Sequence, residues 1–244
     1  MANFTALTST QYAAVKVSEQ QALHFAATQH LINLRVTELA QLACDVPVFI
    51  SKTPYGEWAL SALCSVQPGS NLWVEQGRWQ ATYMPACLQT YPLCAMPGSE
   101  RGPVTLGIFT QASEQDQGVA LFDANKQASA ELLRRQKLVE QDLQNEFLTY
   151  SFINQLATLQ LLQPITLLLQ SDLDEQQVVG LHTINEDRLA QLSAGELLGL
   201  QQQGMLLPIY ALLLSLLQLN TLINKHNKAR PDALLKQIKL AITK

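Results

Sequence analysis

Residues 46–66 read VPVFISKTPYGEWALSALCSV and predict the centre of the first half of the fold. Val46–Ser51 is mostly apolar and contains the β-branched and aromatic residues that strands favour. Thr53-Pro54-Tyr55-Gly56 has the composition of a tight turn, and Glu57–Val66 is mostly apolar again. Two such runs on either side of a turn predict an antiparallel β-hairpin.

Short apolar runs and turn signals continue on both sides of this hairpin. Upstream, Leu31–Val36 alternates like a strand, and Ser18–Ala27 has a helical start with Ser18 as its N-cap. Downstream, Gln67–Asn71 and Gln76-Gly77 predict turns. Further strands are predicted at Leu72–Glu75, Arg78–Met84, Val104–Phe109 and Val119–Phe122. Residues 1–122 are therefore predicted to be β-rich.

The pattern changes near Asp123. Residues 126–162 place apolar side chains at helical spacing, and Pro164 must interrupt that helix. Ile165–Leu169 and Val178–Thr183 are expected to pair as two short strands around the acidic turn Ser171–Gln177. Three helices are then predicted: Glu186–Gln191 capped by Asn185, one from Ser193 with Glu196 at capping-box distance and Gly204 as its stop, and Met205 to about Asn224.

Strands and helices are partly segregated along the chain, which indicates an α+β fold. The expected architecture is an antiparallel β-rich N-terminal half packed with a helical C-terminal half. The β pair near 165–183 is expected to join the N-terminal sheet. Residues 1–244 would then form one interlocked domain, with a β-rich part at 1–122 and a mainly helical part at 123–244.

Composition excludes several classes of protein. The chain has 244 residues, of which 48% are apolar and 15% charged, so it can bury a core and is not mainly disordered. Eleven Gly and four Cys exclude collagen-like chains and disulfide scaffolds. A net charge of −4 disfavours a nucleic-acid partner. The tail at 225–244 is basic, and its simplest interpretation is a solvated end; a membrane surface, nucleic acid or an acidic partner would also suit it.

The sequence predicts a cytoplasmic protein. The first residues, MANFTALTST, lack the pattern of a signal peptide, and no run of about 20 apolar residues predicts a transmembrane segment. Met205–Leu219 is better explained as a helix buried on most faces, with a membrane-associated segment as the alternative. It could also supply a homodimer surface. The four cysteines are expected to be reduced. The four histidines are scattered, so no metal site and no cofactor are predicted.

An aromatic segment at 71–97 supplies the candidate ligand-binding residues. In an extended strand, Trp79, Ala81 and Tyr83 share one face, with Arg78 pointing the other way. Such a face could stack a sugar, a peptide or another planar group. The alternative is that these aromatic side chains belong to the core, where they bury large areas.

Gly180–Leu189, GLHTINEDRL, supplies a second set of candidates. His182 is a candidate ligand contact, while Glu186, Asn185 and Arg188 are weak catalytic candidates, with Glu186 as general acid or base and the other two as orienting groups. A structural account is equally available, because Asn185 can cap a helix, acidic residues suit its first turn and Arg188 can pair with one of them.

These residues carry a resemblance to the SapC family of bacterial proteins, which are named after a surface-layer locus. The similarity lies in GLHTINEDRL at 180–189, L-x-x-L near 197–200, GMLLPIY at 204–210, VPVF at 46–49, GRWQATYMP at 77–85 and YP at 91–92. It extends over about residues 30–228. No catalytic activity is settled for this family, so the resemblance does not imply a particular reaction. It implies an accessory role beside an uptake-system protein or a flavin-dependent halogenase-like protein.

Three functions follow as hypotheses. The first is a non-catalytic binding or protein-interaction module, since no hydrolase, nucleotide-binding or zinc-protease motif occurs in the sequence. The second is an enzyme of undescribed type with a site around Tyr83 and Asn185/Glu186. The third is an envelope or surface-layer-associated component, based on the family name and the basic tail.

Overall fold

The computed structural model describes residues 4–53, 55–96, 104–110, 118–171 and 175–243. The strands are β1 (Phe4–Ala6), β2 (Lys16–Val17), β3 (Leu31–Leu34), β4 (Val48–Lys52), β5 (Trp58–Leu63), β6 (Val74–Glu75), β7 (Arg78–Trp79), β8 (Leu93–Ala95), β9 (Leu106–Phe109), β10 (Val119–Ala120), β11 (Leu162–Ser171), β12 (Glu175–Ile184) and β13 (Leu235–Ile242). The α-helices are α1 (Glu19–Ala26), α2 (Leu39–Leu42), α3 (Ala86–Thr90), α4 (Ala130–Thr158), α5 (Glu186–Ala190), α6 (Ala194–Gln202), α7 (Leu206–Ser215) and α8 (Leu219–Ala229).

A six-stranded antiparallel sheet lies at the centre, in the order β13-β11-β12-β4-β5-β3. The predicted hairpin is confirmed: β4 and β5 pair antiparallel from Val48↔Ala62 to Lys52↔Trp58. The two halves of the chain meet where β12 pairs with β4, at Leu181↔Ser51 and His182↔Ile50. The sheet therefore contains strands from both halves, and the predicted α+β class is confirmed.

The main hydrophobic core also draws on both halves. Helix α4 packs against β5, and α7 packs against β12 and β4. Phe49, Phe152 and Leu212 are fully buried in this core. A smaller core, around Leu93, Ile108 and Leu121, lies under the sheet β1-β9-β8 and the pair β10-β2.

The strand predicted at Arg78–Met84 is wrong beyond Trp79. Only Arg78–Trp79 is a strand, paired with Val74–Glu75. The next residues turn back because the Trp79 indole N–H donates to the Tyr83 carbonyl oxygen at 2.7 Å. The backbone N–H of Thr82 donates to Asp45 at 2.7 Å. These two bonds satisfy the Tyr83 carbonyl and the Thr82 N–H without a strand partner.

The β pair is longer than predicted, and the chain ends differently. Strands β11 and β12 have ten residues each, and β11 begins before Pro164, which therefore lies in a strand rather than simply ending a helix. The basic tail is not only a solvated end, because Leu235–Ile242 pairs with β11 as an edge strand. Pro54, residues 172–174 of the acidic turn and Lys244 lie outside the described residues.

The helix predicted from Met205 continues further than expected. Helix α7, a short 3₁₀ segment at Leu216–Gln218 and α8 follow one another up to Ala229. The span Leu206–Ala229 is long and apolar enough to cross a membrane by length and composition, and 39% of its most apolar window is buried inside the protein. A core helix of a soluble protein satisfies the same criteria.

Candidate functional site

Two of the candidate binding residues line one open cavity of about 450 Å³. Arg78 and Trp79 form its wall together with Gln20 and Leu23 of α1. Gln76 and Gly77 make the tight turn before them, both at positive φ. Trp79 is partly buried and packs against the main core, so it serves both as a core residue and as a cavity wall.

Tyr83 lies in the wall of a different cavity, of about 250 Å³, between α3 and α4. The wall is strongly polar: Thr37, Glu38, Gln41, Tyr83, Ala86, Gln89, Thr90, Leu138, Gln141, Asp142 and Asn145. We call it the Glu38 cavity. The Trp79 indole is hydrogen-bonded to the Tyr83 carbonyl, but the two side chains line different cavities. The chain between them is a loop, whereas a strand would have placed both side chains on one face.

Glu38 is the most buried charged group of this cavity, with 3% of its surface exposed. Its carboxylate accepts hydrogen bonds from the backbone N–H of Arg35 at 2.7 Å and of Ala86 at 2.6 Å. The Tyr83 hydroxyl donates a third. Burial raises the pKa of Glu38 above its usual value, and the three hydrogen bonds oppose that shift.

An ion pair borders the cavity, since Asp142 belongs to its wall. The Arg35 guanidinium donates to both oxygens of Asp142, at 2.7 and 2.8 Å, and lies 3.4 Å from Glu146. This bidentate pair joins the strand β3 region to α4. The Cys87 thiol donates to the Asn33 carbonyl oxygen at 3.2 Å. Burial raises its pKa to about 12, so the thiol stays protonated and is not a nucleophile.

The other four candidates lie elsewhere. His182 contacts the Trp58 ring edge-to-face, with 4.8 Å between centroids. Burial, and then the nearby charge of Lys52, lower the pKa of His182, so its ring is neutral at pH 7. Asn185 caps α5 by accepting from the Arg188 backbone N–H at 3.0 Å.

The contacts of Arg188 are structural, since they join α5 to neighbouring parts of the fold. Its guanidinium donates to Glu196 at 2.9 Å and to the Leu159 carbonyl oxygen at 3.1 Å. Glu186 occupies the first turn of α5, where a carboxylate is favourable. None of the five cavities described for the structure has Asn185, Glu186 or Arg188 in its wall. Tyr83 and this group therefore share no cavity.

An apolar groove of about 290 Å³ lies on the other side of Thr37 from the Glu38 cavity. Its walls come from α4, from the start of α7 and the connection before it, and from α2 with the 3₁₀ turn Val36–Glu38 that precedes it. The lining residues are Val36, Thr37, Ala40, Leu148, Ser151, Phe152, Gln203, Gly204, Met205, Leu207 and Pro208. Leu148 and Leu207 are 54% and 67% exposed. Residues of α4 line the Glu38 cavity from Leu138 to Asn145 and the groove from Leu148 to Phe152. They recur at i, i+3 and i+4 spacing, so one face of α4 borders both.

The groove continues into an exposed apolar face of α7 and of the 3₁₀ segment Leu216–Gln218 that follows it. Leu207, Tyr210, Leu214 and Leu217 follow at spacings of 3, 4 and 3 residues, and each has about half or more of its surface exposed. No charged residue occurs between Glu196 and Lys225. We call the groove and this face together the α4–α7 surface.

Sequence reasoning missed Glu38 and Asp142, which are 104 positions apart in the chain. One signal was available for Glu38, since it is a lone carboxylate among apolar residues in VTELAQL at 36–42. A charge in such a segment is either exposed or held by specific partners. Among the described residues no group of three or more His, Cys, Asp or Glu side chains is arranged to hold a metal ion.

The fold and these cavities define an α+β protein with a mixed helical and antiparallel-sheet core. The SapC family model matches residues 7–222, which is most of the chain, and the protein belongs to the SapC family. No curated protein and no solved structure is significantly similar to the chain.

Proposed function

We propose that this SapC-family protein is a non-catalytic protein-interaction module and that an apolar helix of a partner protein docks on the α4–α7 surface. The observation that carries the proposal is the open groove between Leu148 and Leu207, continued by the exposed side chains of α7. Contiguous exposed apolar patches on soluble proteins mark interaction sites.

The geometry of the surface defines the chemistry of its partner. An a/d-type stripe on α7 fits a second helix with apolar residues at i, i+3 or i+4, and i+7. Because residues 197–224 carry no charge, the matching helix is uncharged along its contact face. The groove offers an anchor pocket for one large side chain of that helix.

The polar groups of the Glu38 cavity favour a binding role over catalysis. Glu38 already accepts three hydrogen bonds. Burial raises the pKa of Tyr83 well above its usual value, so its hydroxyl stays protonated. Neither Tyr83 nor the protonated Cys87 thiol is activated as a nucleophile or base.

The partners to test are those that the family resemblance implies, a flavin-dependent halogenase-like protein and an uptake-system protein. Of the two, we favour the flavin-dependent halogenase-like protein, bound in the cytoplasm. Each is co-purified with the full chain, and binding is quantified by isothermal titration calorimetry. The test variant is Leu207→Gln with Leu214→Gln; the matched control is Leu133→Gln, an exposed leucine near the start of α4.

Burying each of the two test leucines is worth about 1–2 kcal/mol, since each is roughly two-thirds exposed. Their joint loss should weaken binding about 30- to 1000-fold. The control should bind like the wild type, and circular dichroism should show all variants folded.

Equal binding by the double variant and the wild type would refute the proposed surface. Two other occupants have their own readouts. A concentration-dependent dimer in light scattering that Leu214→Gln abolishes would assign the surface to a second copy. Co-sedimentation with anionic phospholipid vesicles that the same variant abolishes would assign it to a membrane, as the envelope hypothesis requires. Either result would show that the occupant of the α4–α7 surface is not a helix of a partner protein.

A further inference from the structure

The carboxylate of Glu38 is buried without a counter-charge. In the part of the chain that the structure describes, no Lys, Arg or His forms an ion pair with Glu38. Arg35 contributes only its backbone N–H, since its guanidinium is bound to Asp142 and lies near Glu146. Buried charges in proteins are ordinarily paired, and Glu38 has hydrogen-bond donors but no counter-charge, which a cation entering the cavity would supply.

The cavity wall offers acceptors to such a cation. No basic side chain belongs to the wall as described. The side-chain amides of Gln41, Gln141 and Asn145 line it, and within the described residues no hydrogen bond occupies them. An amide oxygen and a carboxylate accept N–H donors, whereas the carboxylates of Glu38 and Asp142 would repel an anion.

We propose that the Glu38 cavity binds a primary ammonium group, with Glu38 as its counter-charge and the amides of Gln41, Gln141 and Asn145 as further acceptors. The group is either a free amine or a lysine side chain of a bound protein. This site is separate from the α4–α7 surface and requires no partner helix. A negative result for this proposal therefore leaves the proposed function unaffected, and the reverse also holds.

The test is a titration of the full-length, ¹⁵N-labelled protein followed by NMR. The probe is n-butylammonium chloride, and n-butanol is the neutral comparator. We expect saturable shifts of the side-chain amide signals of Gln41 and Asn145 with the ammonium probe and none with the alcohol. Nα-acetyl-lysine amide is titrated in parallel: tighter binding than butylammonium indicates a lysine of a polypeptide, and weaker binding indicates a free amine.

Matched variants make the result specific. Glu38→Gln should weaken binding at least about tenfold, the effect of losing roughly 1.4 kcal/mol. Glu146→Gln removes an exposed carboxylate that is not part of this wall, and it should bind the probe like the wild type. If Glu38→Gln does not fold, the double variant Gln41→Leu with Asn145→Leu replaces it, since it leaves the hydrogen bonds of Glu38 intact. Binding to this variant is followed by the side-chain amide signal of Gln141 and the backbone amide signal of Ala86, which both belong to the wall.

Three results would overturn the proposal. One is the absence of saturable shifts in the wild type. Another is equal shifts with butanol and butylammonium. The third is equal affinity in the wild type and in the folded variants of the cavity.

Discussion

Replacing Ser215 by alanine should destabilise the protein through one backbone group of the central sheet. Ser215 is fully buried near the C-terminal end of α7. Its hydroxyl accepts from the backbone N–H of Val48 at 3.0 Å and donates to the Leu212 carbonyl oxygen at 2.7 Å. Strand β12 pairs with β4 only at Ile50 and Ser51, so Ser215 reaches Val48 beyond the end of that pairing.

The expected loss follows from this geometry. Alanine leaves the Val48 N–H buried without a partner, which costs about 1–3 kcal/mol, while the volume removed is a single oxygen. For a chain of this size, a loss of about 2 kcal/mol lowers Tm by roughly 4–8 °C. No change in helix content is expected, since alanine is the best helix former.

Urea denaturation followed by circular dichroism gives the free energy of unfolding directly. The matched control is Ser151→Ala, an exposed serine on α4, which should change stability by less than about 0.5 kcal/mol. A similarly small change for Ser215→Ala, at an unchanged m-value, would refute the argument that the hydroxyl is the partner of Val48.

Two further predictions concern stability. Hydrogen bonds from Arg134, and then from Arg135, lower the pKa of Glu131 from 4.5 to about 2 in the folded protein. The ionised Glu131 therefore stabilises the folded protein fully above the unfolded pKa, and this contribution is lost as pH falls through about 2. Unfolding free energies measured at about pH 5.5 and about pH 2.5 should therefore differ less for Glu131→Gln than for the wild type, and an identical pH dependence in the two proteins would contradict this assignment. Gly118→Ala should be strongly destabilised in thermal unfolding, because φ is +130° and a Cβ would lie 2.6 Å from the backbone oxygen of Val17; a Tm equal to that of the wild type would show that this backbone can shift at little cost.

Local signals in the sequence predicted most elements of the fold. The cap at Ser18, the cap at Asn185 and the capping box of Ser193 with Glu196 all occur as expected. Gly204 ends α6 at a positive φ, as its predicted stop. Each of these signals acts between residues within about four positions of each other, which is why the sequence alone contains them.

Strand boundaries were harder to predict because strands depend on partners. The segment after Trp79 has strand-like composition, but a side-chain bond to the Tyr83 carbonyl and the carboxylate of Asp45 satisfy its backbone instead. The opposite error occurred at Leu235–Ile242, because this part of the basic tail was interpreted as a solvated end but is a strand paired with β11. Lysines on such an edge strand protect it from pairing with other chains, so their charge is compatible with strand structure.

The sequence by itself determined the α+β class, the hairpin at 46–66, the helix caps and the resemblance to the SapC family. Only the tertiary structure decided which polar groups meet. Glu38, Tyr83 and Asp142 are distant in the chain and converge because α3 and α4 pack beside the turn before α2. The exposed face of α7 was likewise decided by packing, since a leucine-rich helix has no local signal for which of its sides the core will cover.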